Sequence, residues 1–194
     1  MELEYDIRRT IILGSYMDHW GMPNVRKVMA KDSKRVELYS FPPSSTANNV
    51  HRFATVGLSS CTFADGRSCD AEIFLTVPEV VAQDQFDEIT NYLFDVLAYV
   101  IEKLGRSPRS EDTVPVTQLA PKGWPKALLF DDPRGEPESL EVFHVGAQHV
   151  NLLWLIPIFG SEYSLIKQNG IEAFDREADK MEFSVVEVRR TPCA

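Results

Sequence analysis

His144 and His149 lie five residues apart across Gly146, and Asp131-Asp132 precedes them with Glu136 and Glu138 close by. Imidazole nitrogen suits a metal such as zinc, and clustered carboxylates suit a hard cation. Two imidazoles without a third ligand are an incomplete zinc set. Pro133 and Gly135 beside the carboxylates favour a solvated acidic turn instead. A second arrangement would pair Cys61, as nucleophile, with His51, as base. That chemistry needs a stabilised thiolate with the imidazole in hydrogen-bond reach. The spacing does not require either, and a small buried or loop cysteine is the simpler reading. His19 and His51 read as core-edge residues. Neither a phosphate-binding glycine loop nor a GxGxxG, GxSxG or HExxH motif is present. The shortage of reactive constellations favours a binding protein over an enzyme.

The elements that must position these residues centre on Val150–Gly170, VNLLWLIPIFGSEYSLIKQNG. Leu152, Trp154 and Ile156 are expected on one face of a strand, with Leu153, Leu155 and Ile158 on the other. A strand apolar on both faces must be covered on both, so it is read as central. Pro157 limits its pairing. Ser161 is the expected N-cap of a short helix, with Glu162 at its positive end and Gly170 closing it.

Before this centre, residues 4–20 carry Tyr5, Ile12, Leu13, Tyr16, Met17 and Trp20 mainly on one helical face, with Gly21 as the stop. Arg26, Lys27, Lys31, Lys34 and Arg35 form a basic stretch without interleaved aromatics, read as a solvated turn. Strands are expected at Val36–Phe41, His51–Ser59 and Ala71–Val77, forming an antiparallel meander. Ala54, Val56 and Leu58 should share a face, and Gly57 marks a bulge or a close backbone approach. SSTANN after Pro42-Pro43 is a polar loop, and Asp65-Gly66 is a turn signal. Asp84–Leu104 reads as one long amphipathic helix, capped by Asp84 and ended by Gly105. A polar connection at 106–125 includes a short strand at Val114–Thr117, and Ala127–Phe130 is another strand. Leu140–Val145 resumes the sheet, Ile171–Met181 is a second short helix, and Phe183–Val188 alternates as a last strand.

The 194 residues suit one domain over 1–194. No apolar run is long enough for a membrane helix, and no charged-then-apolar leader opens the chain. Cys61, Cys69 and Cys193 are an odd number without metal-ligand spacing, which suits reduced thiols in a cytoplasmic protein. The net charge is −9, with +1 in residues 1–40 and therefore −10 in the rest. Such a surface repels nucleic acid and favours basic partners, or serves solubility alone.

Three stretches together resemble the Suppressor of fused family, in its compact single-domain bacterial form. They are TVGLS at Thr55–Ser59, EIFLTVP beginning at Glu72, and LLWLIPIFGSEYSLIKQNG at Leu152–Gly170. The long amphipathic helix sits between the second and third, as the family arrangement implies, and the likeness spans residues 10–180. It implies an α/β (α+β) fold, with a mixed, mostly antiparallel central sheet and helices packed against it. It also implies a non-enzyme without cofactor or metal. Animal members hold a short peptide of a transcription factor by strand addition. Bacterial members are thought to act as immunity proteins against polymorphic toxins. By position, Ser60, Thr62 and Asp65 are candidate partner contacts, joined by Asp131 and Asp132 of the acidic turn. A second domain like that of the animal members is not expected within these 194 residues. SSCTFADGRSCD after the GLS motif lacks a clean match to the animal tyrosine and aspartate. The expected partner is a protein, a basic toxin domain drawn by the acidic surface. The alternatives are an intracellular scaffold, or a small hydrolase built on the metal or cysteine sets above.

Overall fold

The computed structural model describes residues 2–31, 34–43, 49–115, 120–182 and 184–194. Helix α1 (Glu2–Trp20) leads into β1 (Val25–Lys31), β2 (Lys34–Phe41), β3 (Val50–Val56) and β4 (Ala71–Pro78). Helices α2 (Glu79–Asp84) and α3 (Phe86–Tyr99) follow, α3 running on into a π turn at Val100–Leu104. Then come β5 (Thr113–Val114), β6 (Ala127–Asp131), β7 (Val142–Val145), β8 (Gln148–Ile158), α4 (Gly160–Asn169) and α5 (Ile171–Ala178). Among the described residues the strands form one eight-stranded sheet in the order β1-β2-β3-β4-β8-β6-β5, with β7 also on β8. All pairs are antiparallel except β4 with β8, whose register runs from Ala71↔Asn151 to Phe74↔Trp154. The fold is therefore mixed and mostly antiparallel, as expected.

Period-two alternation divides each inner strand between two cores. Leu38, Phe53, Ile73, Leu75, Leu153 and Leu155 meet Ile89, Leu93 and Leu97 of α3 on one face. Phe41, Ala54, Phe74, Leu152, Trp154 and Ile156 meet Ile12, Tyr16 and Trp20 of α1 on the other, with Ile166 and Phe174 of α4 and α5. Helices on both faces explain why β8 is apolar on both. Ile158 belongs with Ile156 rather than with Leu155, because parity holds through Pro157. Pro157 stays in register opposite Leu128.

Several expectations are corrected. The basic stretch forms the β1–β2 hairpin, an edge ladder from Val25↔Ser40 to Lys31↔Lys34, and not a turn. Arg26 and Arg35 of the stretch pair with Glu37, which is fully buried and also bonded by Arg9 and Tyr39, and Lys27 pairs with Asp87 at 2.8 Å. Burial opposes ionisation of Glu37, but the hydrogen bonds from Arg26, Tyr39 and Arg9 prevail and hold its pKa down to about 2. Leu58 turns to the α3 side, because β3 stops at Val56 and a 3-10 turn follows. The helix expected at Asp84–Leu104 is broken at Gln85. Asp84 ends α2 instead of capping α3, and Gln85 holds the indole N–H of Trp124 at 2.9 Å. Gly105, at φ 62°, closes the π turn as expected. Phe159, not Ser161, sits at the N-cap of α4, and Glu162 reaches back to the Phe159 N–H at 2.8 Å.

The final strand does not form among the described residues. Residues 184–190 make successive turns, Glu187 N–H to Ser184 and Arg190 N–H to Glu187. This path buries Val188 and delivers Arg190 to Glu162. The strand proposed at Val114–Thr117 is Thr113–Val114; residues 116–119 lie outside the described residues, as does most of SSTANN.

Candidate functional site

The GLS motif is built around a buried carboxylate. Pairing between β3 and β4 ends at Ala54↔Phe74, and the strands then part. Glu72 fills the gap and is fully buried. It accepts Thr55 Oγ1 at 2.7 Å, the Gly57, Leu58 and Ser59 N–H groups at 2.9, 3.2 and 3.0 Å, and Ser59 Oγ at 2.7 Å. Gly57 is required twice over: its φ is +103°, and a Cβ there would lie 2.7 Å from the Arg35 carbonyl oxygen. The close approach read from Gly57 is therefore real, made at the end of the strand.

This anchored turn launches the loop 61–70. Cys69 N–H bonds Cys61 O at 2.8 Å, Thr62 bridges Ser68, and Phe63 N–H bonds Arg67 O at 2.8 Å. Asp65 accepts the Arg67 N–H at 3.0 Å and its Nε–H at 2.6 Å. At the base of the loop, Asp70 takes a bidentate pair from Arg109, at 2.6 and 2.9 Å. Arg106 makes a similar fork to Asp112, 2.7 Å on each arm. The Arg109 bonds lower the Asp70 pKa, and Arg106 lowers that of Asp112 despite its burial.

Loops 63–70 and 106–109 enclose a depression of about 470 Å³ lined by Phe63, Asp70 and three guanidiniums, those of Arg67, Arg106 and Arg109. A second depression, about 330 Å³, shares Arg109 and continues past Pro108, Asp132, Pro133, Glu141 and Leu153. The two form an elongated groove beside the start of β4, where Asn151 N–H bonds Asp70 O at 2.8 Å.

The structure places the candidate contacts unequally around this groove. Thr62 and Asp65 lie exposed on the loop that forms its basic wall, and Ser60 is exposed at the end of the preceding turn. Asp132 lines the second depression. Asp131 is buried, raised in pKa by that burial, and tied to Arg134 Nε at 2.8 Å. The acidic turn is not freely solvated. Arg134 also pairs with Asp175, and Glu136 accepts Arg52 Nε and the Trp20 indole N–H, each at 2.7 Å. Sequence reading missed Arg67, Arg106 and Arg109. They come from two polar loops some forty residues apart, one entering β4 and one leaving the helical return that follows it, and the Asp70 contacts to Ser107 and Arg109 join them.

The reactive sets fare differently. His144 and His149 face each other across the β7–β8 hairpin with ring centroids 4.8 Å apart. Among the described residues no three His, Cys, Asp or Glu groups converge on a common metal position. Cys61 is buried with its thiol pushed up to about 11 by burial and by Glu72. His51 sits at the opposite end of β3, between Ser40 Oγ and Glu79. Five strand residues, about 16 Å, separate its level from the Gly57 turn that carries Cys61, so the dyad does not assemble. No helix among the described residues is long and apolar enough to cross a membrane.

Comparison with solved structures finds the same fold elsewhere. A Suppressor of fused homologue from Neisseria gonorrhoeae FA 1090 matches with a TM-score of 0.72 at 13% identity, over 96% of this chain and 97% of the other. A chain of the Sufu–Fu complex crystal structure matches at 0.65 and 14% identity, over 99% and 91%. Drosophila Suppressor of fused matches at 0.57 and 14%, over 82% of this chain and 42% of that one. Comparison with curated protein sequences finds no match. The family model for Suppressor of fused protein (SUFU) matches residues 32–191, which takes in the Gly57 turn, Glu72, the groove and the Glu162–Arg190 pair, and the chain belongs to that family.

Proposed function

We propose that the chain is a non-enzymatic protein-binding domain, and that it serves as a bacterial immunity protein that neutralises a polymorphic toxin by binding it in the cytoplasm. The observation that carries this reading is the elongated groove beside Asp70 and Asp132. Its walls are held by internal ion pairs, a rigid surface suited to docking. The solved Sufu–Fu complex supports protein binding as the kind of work this fold does. The net charge of −9 favours a basic toxin domain and a fast, salt-sensitive association.

The test is affinity capture from the native cell at low and at moderate salt, followed by mass spectrometry. A single stoichiometric basic partner with a toxin-like domain supports the proposal. An ordinary cellular protein as the sole partner replaces immunity with the scaffold reading. No partner at either salt overturns the binding function.

A further inference from the structure

The first depression is walled by guanidiniums, each paired with one carboxylate, in a molecule whose overall charge is acidic. Three guanidiniums face one carboxylate among the residues lining the 470 Å³ depression, in a chain of net charge −9. Asp65 and Asp112, which pair with Arg67 and Arg106, do not line it. Pairing does not exhaust these side chains, since a guanidinium has five N–H donors. Arg67 uses Nε and Nη2 on Asp65, leaving Nη1. Arg106 spends Nη1 and Nη2 on Asp112, leaving Nε. The internal pairs hold the side chains in place, so an incoming anion orders little that is not already ordered.

The geometry points to this cleft as the docking site for an acidic peptide segment of a protein partner, a carboxylate side chain entering between Arg67, Arg106 and Arg109. This rests on the protein-binding reading above and names the chemistry of its contact. The shape favours a peptide over a small free anion. The depression continues past Arg109 into the second one, whose apolar lining residues Pro108, Pro133 and Leu153 are buried, with Val142 half-buried, and where the exposed Asp132 and Glu141 repel further acid. The groove therefore has a direction: an acidic residue at the arginines, and a neutral or basic residue beside Asp132 and Glu141. An overall basic partner is steered by the whole surface and fixed in register by one acidic segment.

The probe is the acetylated, amidated peptide Glu-Glu-Leu-Val-Lys, titrated into the ¹⁵N-labelled full chain, with Gln-Gln-Leu-Val-Lys and inorganic phosphate as separate arms. The acidic peptide is expected to shift amides in 63–70 and 106–110 saturably, and to bind about tenfold tighter than the glutamine peptide. Arg67→Ala, an exposed position that leaves the fold intact, and Arg109→Gln should each weaken it about tenfold. Equal binding of both peptides, shifts confined to other regions, unchanged affinity in Arg67→Ala, or phosphate shifting these amides while the peptide does not would each overturn the assignment. A failed titration in a chain that still captures a protein partner overturns this inference alone, whereas loss of capture overturns the function beneath it.

Discussion

Replacing Glu72 by glutamine should destabilise the fold severely while changing its volume hardly at all. One carboxylate oxygen accepts the Gly57 and Ser59 N–H groups and Ser59 Oγ; the other accepts Thr55 Oγ1 and the Leu58 N–H. Glutamine can place its oxygen in only one of these positions, and its NH2 then confronts donors in the other. The Thr55 hydroxyl can rotate, but the Leu58 N–H cannot, and a buried unsatisfied donor costs about 1–3 kcal/mol. The three remaining bonds also lose their charge assistance, about 1 kcal/mol each. A loss of about 4–6 kcal/mol results, a large share of the 5–15 kcal/mol that holds a typical domain. With a slope of about 2 kcal/mol/M, the urea midpoint should fall by about 2–3 M. Far-ultraviolet circular dichroism and tryptophan fluorescence should report the same transition. A shift worth less than about 1 kcal/mol would refute the idea that this carboxylate organises the GLS turn.

Other expectations can be checked in the same way. Gly57→Ala should cost at least about 2 kcal/mol by urea unfolding, and adding Tyr5→Ala should not rescue it, because the Arg35 carbonyl oxygen still blocks the new Cβ. Arg190→Ala leaves Glu162 buried without its partner and should cost about 3–5 kcal/mol; a thermal midpoint equal to wild type would contradict this. The pKa of Glu37 is lowered on folding from an ordinary 4.5 to about 2, so its contribution is full above pH 4.5 and is lost as pH falls toward 2. Stability measured across that window should decline, and Glu37→Gln should flatten the slope. Cys61, buried and pushed up to about 11, should resist iodoacetamide at pH 7.5 in the folded chain, and labelling as fast as a free thiol would be the contrary result.

The sequence carried the parts of this fold that depend on period. Alternation in Ala71–Val77 and Leu152–Ile156 assigns residues correctly to two cores, and the stripe through Ile89, Leu93 and Leu97 marks the packing helix. Breaks were less legible. Gln85 separates two helices through a single backbone departure that no glycine or proline announces. The basic stretch at 26–35 is exposed at Arg26 and Arg35, as read, but forms strands and not a turn. The pairing of these two arginines with buried Glu37 is visible only once α1, β1 and β2 converge. Glu72 and Glu162 stood out within their motifs, but their role as acceptors for donors up to 31 residues away is a property of the folded chain. The arginine cleft had no local signal, because Arg67 and Arg109 are joined by topology rather than by spacing.

Growth rescue tests the central claim most directly. The captured toxin domain would be expressed inducibly with this chain or with its Arg67→Ala, Arg109→Gln double variant, and colony-forming units counted. Full rescue by the native chain, lost with the double variant at equal protein level, is the predicted result. Continued killing in cells where the native complex demonstrably forms would contradict neutralisation by binding.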